Sequence, residues 1–188
     1  MATADVVRDM GETLVFLLRA GIPSVDPAKI AVATPDEFES LRDPLKPNIT
    51  IFLYRIAVNP QRRNDPRRIR PDGTVIRQPL PLELSFLITA WAKDTRDELR
   101  IIGRILQVLY DKAELGAADL VGASWETDDT VQLALESLPL EDHYRIWDAN
   151  EVPYRLSLTY VARVIGISPL ETTTSAPVVD ADFRVTVI

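Results

Sequence analysis

Residues 79–111 read PLPLELSFLITAWAKDTRDELRIIGRILQVLYD, and two periods meet inside them. In the first half, Leu82, Leu84, Phe86, Ile88 and Ala90 alternate with Glu83, Ser85, Leu87, Thr89 and Trp91. Side chains in a strand alternate between the faces of a sheet, so this spacing predicts a long strand with one wholly apolar face. In the second half the period becomes helical, with Leu99, Ile102, Ile105, Leu106 and Leu109 on one stripe. Thr95 followed by Glu98 predicts a capping box at the helix start, where side chains satisfy free N–H groups. A strand, a short polar turn and an amphipathic helix form one unit with two apolar faces, and the rest of the chain must cover them.

Upstream, residues 3–20 carry an apolar stripe of Val6, Met10, Leu14, Leu17 and Leu18 and read as a helix ended by Gly21 and Pro23. A short strand over 30–33 and a short helix over 35–41 follow, the latter from Thr34, Pro35 and Glu37. Residues 48–58, NITIFLYRIAV, read as a strand inside the sheet, apolar on both faces until its end. Downstream, residues 112–130 read as a loop and 131–138 alternate as a strand. Leu140, Tyr144 and Trp147 recur at helical spacing, and residues 155–167 form the last long strand, with Leu156, Leu158, Tyr160, Ala162 and Val164 on one face. The expected fold is α+β: a mainly antiparallel sheet of about four to five strands with helices packed on it. An extended Arg-rich hairpin arm and a C-terminal tail complete it. The expected division is one domain over 1–167, with the arm at 59–78, and a tail over 168–188.

The chain has 188 residues, enough for one sizeable core, and the composition of an ordinary soluble globular protein. Its net charge of -7 argues against general binding to nucleic acid or anionic membranes. There is no cysteine, so disulfides, thiolate nucleophiles and cysteine-metal sites are excluded. No basic start precedes an apolar run, and no apolar run approaches the roughly 20 residues that span a bilayer, so the expected compartment is a reducing cytoplasm.

Two segments break the pattern. Residues 59–78, NPQRRNDPRRIRPDGTVIRQ, hold three prolines, a PDG turn and five close arginines: Arg62, Arg63, Arg67, Arg68 and Arg70. Between two long strands this predicts an extended hairpin arm or large loop. It reads either as a solvated loop or as an arm that docks on an acidic protein surface, since the planar guanidinium pairs bidentately with carboxylates. Nucleic acid fits poorly, because aromatics are not interleaved and the prolines forbid a groove-reading helix. Residues 168–182 are rich in Thr, Ser and Pro, and residues 183–188, FRVTVI, alternate Phe183, Val185 and Val187 with Arg184 and Thr186. That is a short strand, either at the edge of its own sheet or added to a neighbour's.

The search for chemistry is empty. His143 is the one histidine; with Glu141 and Asp142 beside it a weak metal site is conceivable, but metal sites need converging ligands and a packed histidine is the expectation. Glu126, Asp128 and Asp129 lack the rest of a calcium-loop pattern. There is no nucleophile elbow and no glycine-rich phosphate loop. No catalytic residue, cofactor or metal is expected.

Three segments together resemble one family: IFLYRIAVNPQRRN, the 79–111 unit, and LESLPLEDHYRIWDANEVPYRLSLTYVARVI. In order and spacing they look like the N-terminal domain of cap, or tail-terminator, proteins of extracellular contractile injection systems, phage-tail-like particles assembled in bacterial cytoplasm. The resemblance covers roughly residues 6–167. It implies a structural protein, not an enzyme, that forms a homohexameric ring on the distal end of the tube and sheath and stops their polymerisation. The implied partners are other copies of itself and the terminal sheath and inner-tube subunits, with no nucleic acid and no membrane. The alternative is a small-ligand-binding or accessory assembly module on an α+β scaffold. On the cap reading, the expected interface residues are Arg62, Arg63, Arg67, Arg68, Arg70, Phe183, Val185 and Val187.

Overall fold

The computed structural model describes residues 4–37, 48–62, 68–69, 75–76 and 78–169, with only the backbone of Asp36, Arg68, Ile69, Val75, Ile76 and Val164. Helix α1 (Val6–Gly21) leads through a 3-10 turn (Pro27–Lys29) to strand β1 (Ile30–Val32). A second 3-10 turn (Pro35–Glu37) lies where a short helix over 35–41 is expected; residues 38–41 are outside the described residues. Strand β2 (Asn48–Val58) follows, then the two-residue strands β3 (Arg68–Ile69) and β4 (Val75–Ile76), which pair antiparallel with each other. The central unit is strand β5 (Leu80–Trp91) and helix α2 (Thr95–Asp111). Strands β6 (Glu114–Leu115) and β7 (Val131–Leu135), helix α3 (Leu140–Asp148) and strand β8 (Ser157–Ile167) complete the described elements.

The main sheet is mixed and has six strands in the order β1-β2-β5-β8-β7-β6. β1 runs parallel to β2, and every other pairing is antiparallel. The expectation of about four to five strands falls short because β6 is two residues long and lies in the small-residue stretch that reads as a loop. β5 sits at the centre, paired along its length with β2 and β8.

The apolar face of β5 is the heart of the core: Leu82, Leu84, Phe86, Ile88 and Ala90 are all buried. Helices α1 and α2 pack on this face through Val6, Met10, Leu14, Leu17 and Leu18 from one and Ile101, Ile102, Ile105 and Leu109 from the other. Two members of the predicted α2 stripe are corrected. Leu99 is 51% exposed, and Leu106 is only partly buried. Seven residues apart, they share the margin of the stripe centred on Ile102, Ile105 and Leu109, and Ile101 takes the buried place. The helix start also shifts by one residue. Asp94 is the N-cap, its side chain accepting from the Asp97 N–H at 3.0 Å, while Glu98 accepts from Arg155 at 2.8 Å.

The opposite face of the sheet is covered too. Leu87 and Trp91 of β5 meet Trp147 of α3, and Phe52, Tyr54 and Tyr154 pack around them. The two indoles stand edge to face at 6.2 Å, and the Arg155 guanidinium lies 5.3 Å from the Trp91 ring centre. In α3 only Trp147 of the predicted stripe is buried; Leu140 and Tyr144 are exposed. In β8 a register shift opposite Leu82 and Leu84 breaks the expected alternation, so that Ile165 joins the core; the Val164 side chain lies outside the described residues.

Candidate assembly surface

The arm begins where β2 ends, and one side chain makes the bend. Asn59 is buried, and its N–H donates to the Pro81 carbonyl at 2.9 Å, closing the ladder with β5. Its Oδ1 accepts from the backbone N–H groups of Gln61 and Arg62, both at 3.0 Å, an Asx-type turn that redirects the chain. Its Nδ2 donates to Glu83 Oε1 at 2.8 Å, and Arg163 of β8 lies 3.5 Å from the same oxygen. Three strands therefore grip the arm root, around a polar recess of about 390 Å³ that also reaches Gln132 of β7. Arg62 is exposed at its rim. Arg68 stands in β3, its backbone paired opposite Ile76. Arg63, Arg67, Arg70, Phe183, Val185 and Val187 lie outside the described residues.

Four residues before the arm root, β2 carries a register shift between Leu53 and Arg55. A bulge puts one extra residue on one strand and resets the alternation, so Tyr54 and Arg55 share the α3 face. Both reach Glu136, just past β7: the Tyr54 hydroxyl donates to Oε2 and Arg55 to Oε1, each at 2.9 Å. Three strand spacings separate β2 from β7, roughly 14 Å on a flat sheet, so the pair closes only because the sheet curls toward this face. Burial, and then the bond to the Glu136 carboxylate, push the Tyr54 phenol up to about 12.

Because β1 ends at Val32, β2 also has an open edge. β1 pairs with β2 only over Ile49, Thr50 and Ile51, so residues 53–58 have no partner on that side among the described residues. Ile56 and Val58 lie opposite the buried Leu84 and Leu82, yet they are 53% and 41% exposed. Beside them an apolar groove of about 410 Å³ opens between α1 and the sheet, lined by Val7, Gly11, Val32, Leu53 and Phe86. A second apolar groove of about 430 Å³ lies at the far side of the sheet, between the end of α2 and β7, where Tyr110 and Leu135 are exposed.

His143 and the acidic loop are held by local packing and turn contacts. His143 stacks edge to face on Tyr154 at 5.9 Å, and burial lowers its basicity. Among the described residues no three His, Asp or Glu side chains converge as metal ligands. In the acidic loop, Asp129 accepts from the Glu126 N–H at 2.8 Å, an internal turn contact. No described helix is long and apolar enough to cross a membrane.

Helix α1 also buries a carboxylate that no sequence pattern marks. Asp9, on the inner side of α1, accepts from the Ser124 N–H at 3.2 Å and from its hydroxyl at 2.7 Å. Its other oxygen takes two hydrogen bonds from Arg8, at 2.9 and 2.8 Å. Burial pushes this carboxyl up, but the bonds from Ser124 and Arg8 outweigh it and hold the acid below its ordinary value. A depressed carboxyl stabilises the fold above the unfolded value and loses that contribution as pH falls through the folded one. Asp9→Asn should therefore lower stability at neutral pH and flatten the acid limb of a stability-against-pH curve below about pH 4. An unchanged limb in urea titrations across that range would remove Asp9 from the acid response. The only signal in the sequence was a charge at the i−1 position of a perfect apolar stripe, a place normally solvated.

Residues 9–181 match the model of the Pvc16 N-terminal domain family. The sheath/tube terminator of PVC, an extracellular contractile injection system, in its extended state has a TM-score of 0.64 at 19% identity. The match covers 100% of this chain and 66% of that one. The tube-terminating cap of the anti-feeding prophage has a TM-score of 0.60 at 20% identity, covering 98% of this chain and 62% of that one. At these identities the likeness establishes the shared fold, and this chain spans less than two thirds of the length of either protein. No curated protein matches the sequence. A family model that fits nearly the whole chain makes it a member of the Pvc16 N-terminal domain family.

Proposed function

We propose that this protein is the structural cap of a contractile injection system: a ring on the distal end of its tube and sheath that stops both from growing. The observation that carries this reading is the family match over residues 9–181, joined to two structural relatives that are themselves terminators. The ring is a homohexamer, its other partners are the terminal sheath and inner-tube subunits, and neither nucleic acid nor membrane takes part. The protein works without catalysis, is assembled in a bacterial cytoplasm and stays in the particle. Residues 1–167 supply the terminator-like domain with its arm, and 168–188 the tail. Neither structural relative, both of them terminators, favours the small-ligand or accessory-assembly alternative. Electron microscopy of particles from a strain lacking the protein is the test. Tubes and sheaths of uncontrolled length, with bare distal ends, are expected; particles of normal length with intact caps would end the proposal.

In this ring the arms present a circle of positive charge from Arg62, Arg63, Arg67, Arg68 and Arg70 to an acidic surface on a neighbouring cap, sheath or tube subunit. Replacing all five with Ser should leave stability within about 0.5 kcal/mol, as for most surface changes. It should slow docking onto particles and weaken its salt dependence, because charge complementarity acts mainly on association rate. Capping measured across a salt series decides: equal rates at every salt concentration would strip the arm of its docking role.

A further inference from the structure

Among the described residues the edge of β2 over residues 53–58 has no strand beside it, and its dimensions point to an occupant. The Ile51 carbonyl accepts from Ala33 on the β1 side, and the Asn59 N–H donates to Pro81 on the β5 side. Carrying the alternation through the bulge turns the N–H and C=O groups of Leu53, Ile56 and Val58 to the outside. Residues 53–58 thus offer a six-residue ladder with apolar side chains on the α1 face, next to the groove at Val7, Gly11 and Phe86. Such an edge takes an added strand whose own face alternates.

The chain contains one unassigned segment of that kind. Residues 183–188 are six long and place Phe183, Val185 and Val187 on one face, with Arg184 and Thr186 on the other. Strand β8 delivers the tail to the right end of the sheet. Ile167 pairs with Leu80, while Val58 pairs with Leu82, so the tail leaves close to where the open edge finishes. Residues 170–182 then span up to ~40 Å when extended, enough to reach an adjacent copy. We infer that the β2 edge at residues 53–58 receives residues 183–188 of a neighbouring copy as an added strand, with its apolar face over the groove between α1 and the sheet. This rests on the ring reading. A strand folded onto its own edge would leave nothing for the next copy, whereas donation from copy to copy is a heterologous contact that rotation closes into a ring.

The absence of cysteine makes the test direct. A full-length chain with Ile56→Cys and a differently tagged one with Val185→Cys are mixed and mildly oxidised, and a chain carrying both substitutions is oxidised alone. Expected are a heterodimer from the mixture, intermolecular species from the double variant, and loss of both when Val58→Lys is added to the Ile56→Cys chains. A double variant that closes only on itself would place the strand on its own subunit and overturn the inference. No disulfide in either experiment would overturn it as well. Native mass measurement of the unmodified chain separates the two proposals: a ring without the cross-link sinks this inference alone, and a monomer sinks the ring.

Discussion

Gly122→Ala is expected to destabilise the protein more than any other single methyl that could be added to the described residues. Gly122 has φ +108°, a conformation that side-chain-bearing residues rarely adopt. A Cβ there would fall 2.1 Å from Asp9 Oδ2, 2.2 Å from Cγ and 2.8 Å from Cβ. The short Asp9 side chain has no other place to go, because Ser124 holds it from the 116–130 segment and Thr13 accepts from the Val121 N–H at 3.0 Å. The substitution therefore strains the backbone by about 1–3 kcal/mol and disturbs buried hydrogen bonds to a charged group, worth about 1.5–3 kcal/mol. Together these take a large share of the stability of an ordinary domain. The exposed side of the ion pair matters less, since Arg8 is 66% exposed and screened by water. Equilibrium unfolding in urea is the measurement. A loss under ~1 kcal/mol would mean that the loop slides freely on α1 and that Asp9 does not clamp it.

This clamp was not legible in the sequence, and the reason is physical. Periodicity reports which faces are apolar; it does not report a polar side chain that is satisfied across a distance of 115 residues. The strand-helix unit was legible because β5 alternates without a break from Leu82 to Ala90 and α2 keeps a helical stripe at Ile102, Ile105 and Leu109. The limits of β2 emerged from its flanking turns at the same residues, Asn48–Val58. What the period missed are its local exceptions. A one-residue bulge at Tyr54 turns Arg55 onto the α3 face, and a register shift between β5 and β8 brings Ile165 into the core. The second apolar layer at Trp91 and Trp147 was hidden in a face that reads as mixed, because Ser85 and Thr89 are buried within it.

The assembly surface was legible in part, and for a different reason. Arginines between prolines announce themselves by composition, and so does an alternating hexapeptide after a polar linker. Neither says where its contact lies. The edge that residues 183–188 are inferred to meet depends on β1 stopping at Val32 while β2 continues to Val58, a difference in strand length that only the pairing reveals. Asn59 is the intermediate case. An Asn-Pro pair is a recognisable turn signal, but its grip on Glu83 is tertiary.

Phe86→Ala tests the layer on which both surfaces stand, and it should cost about 3–5 kcal/mol, the transfer loss plus the cavity left behind. Phe86 is 1% exposed, faces Tyr160 on β8 and Leu53 on β2, and forms the floor of the groove beside the open edge. A cavity there cannot collapse easily, since the strand is paired on both sides and α1 lies over it. Leu99→Ala is the matched control. It removes comparable apolar bulk from a residue that is 51% exposed and should stay within about 0.5 kcal/mol. Urea midpoints of the two variants, at unchanged slope, give the comparison directly. Similar losses at both positions would mean that α2 packs with a different stripe and that the groove floor is not the fixed surface on which the added strand is inferred to rest.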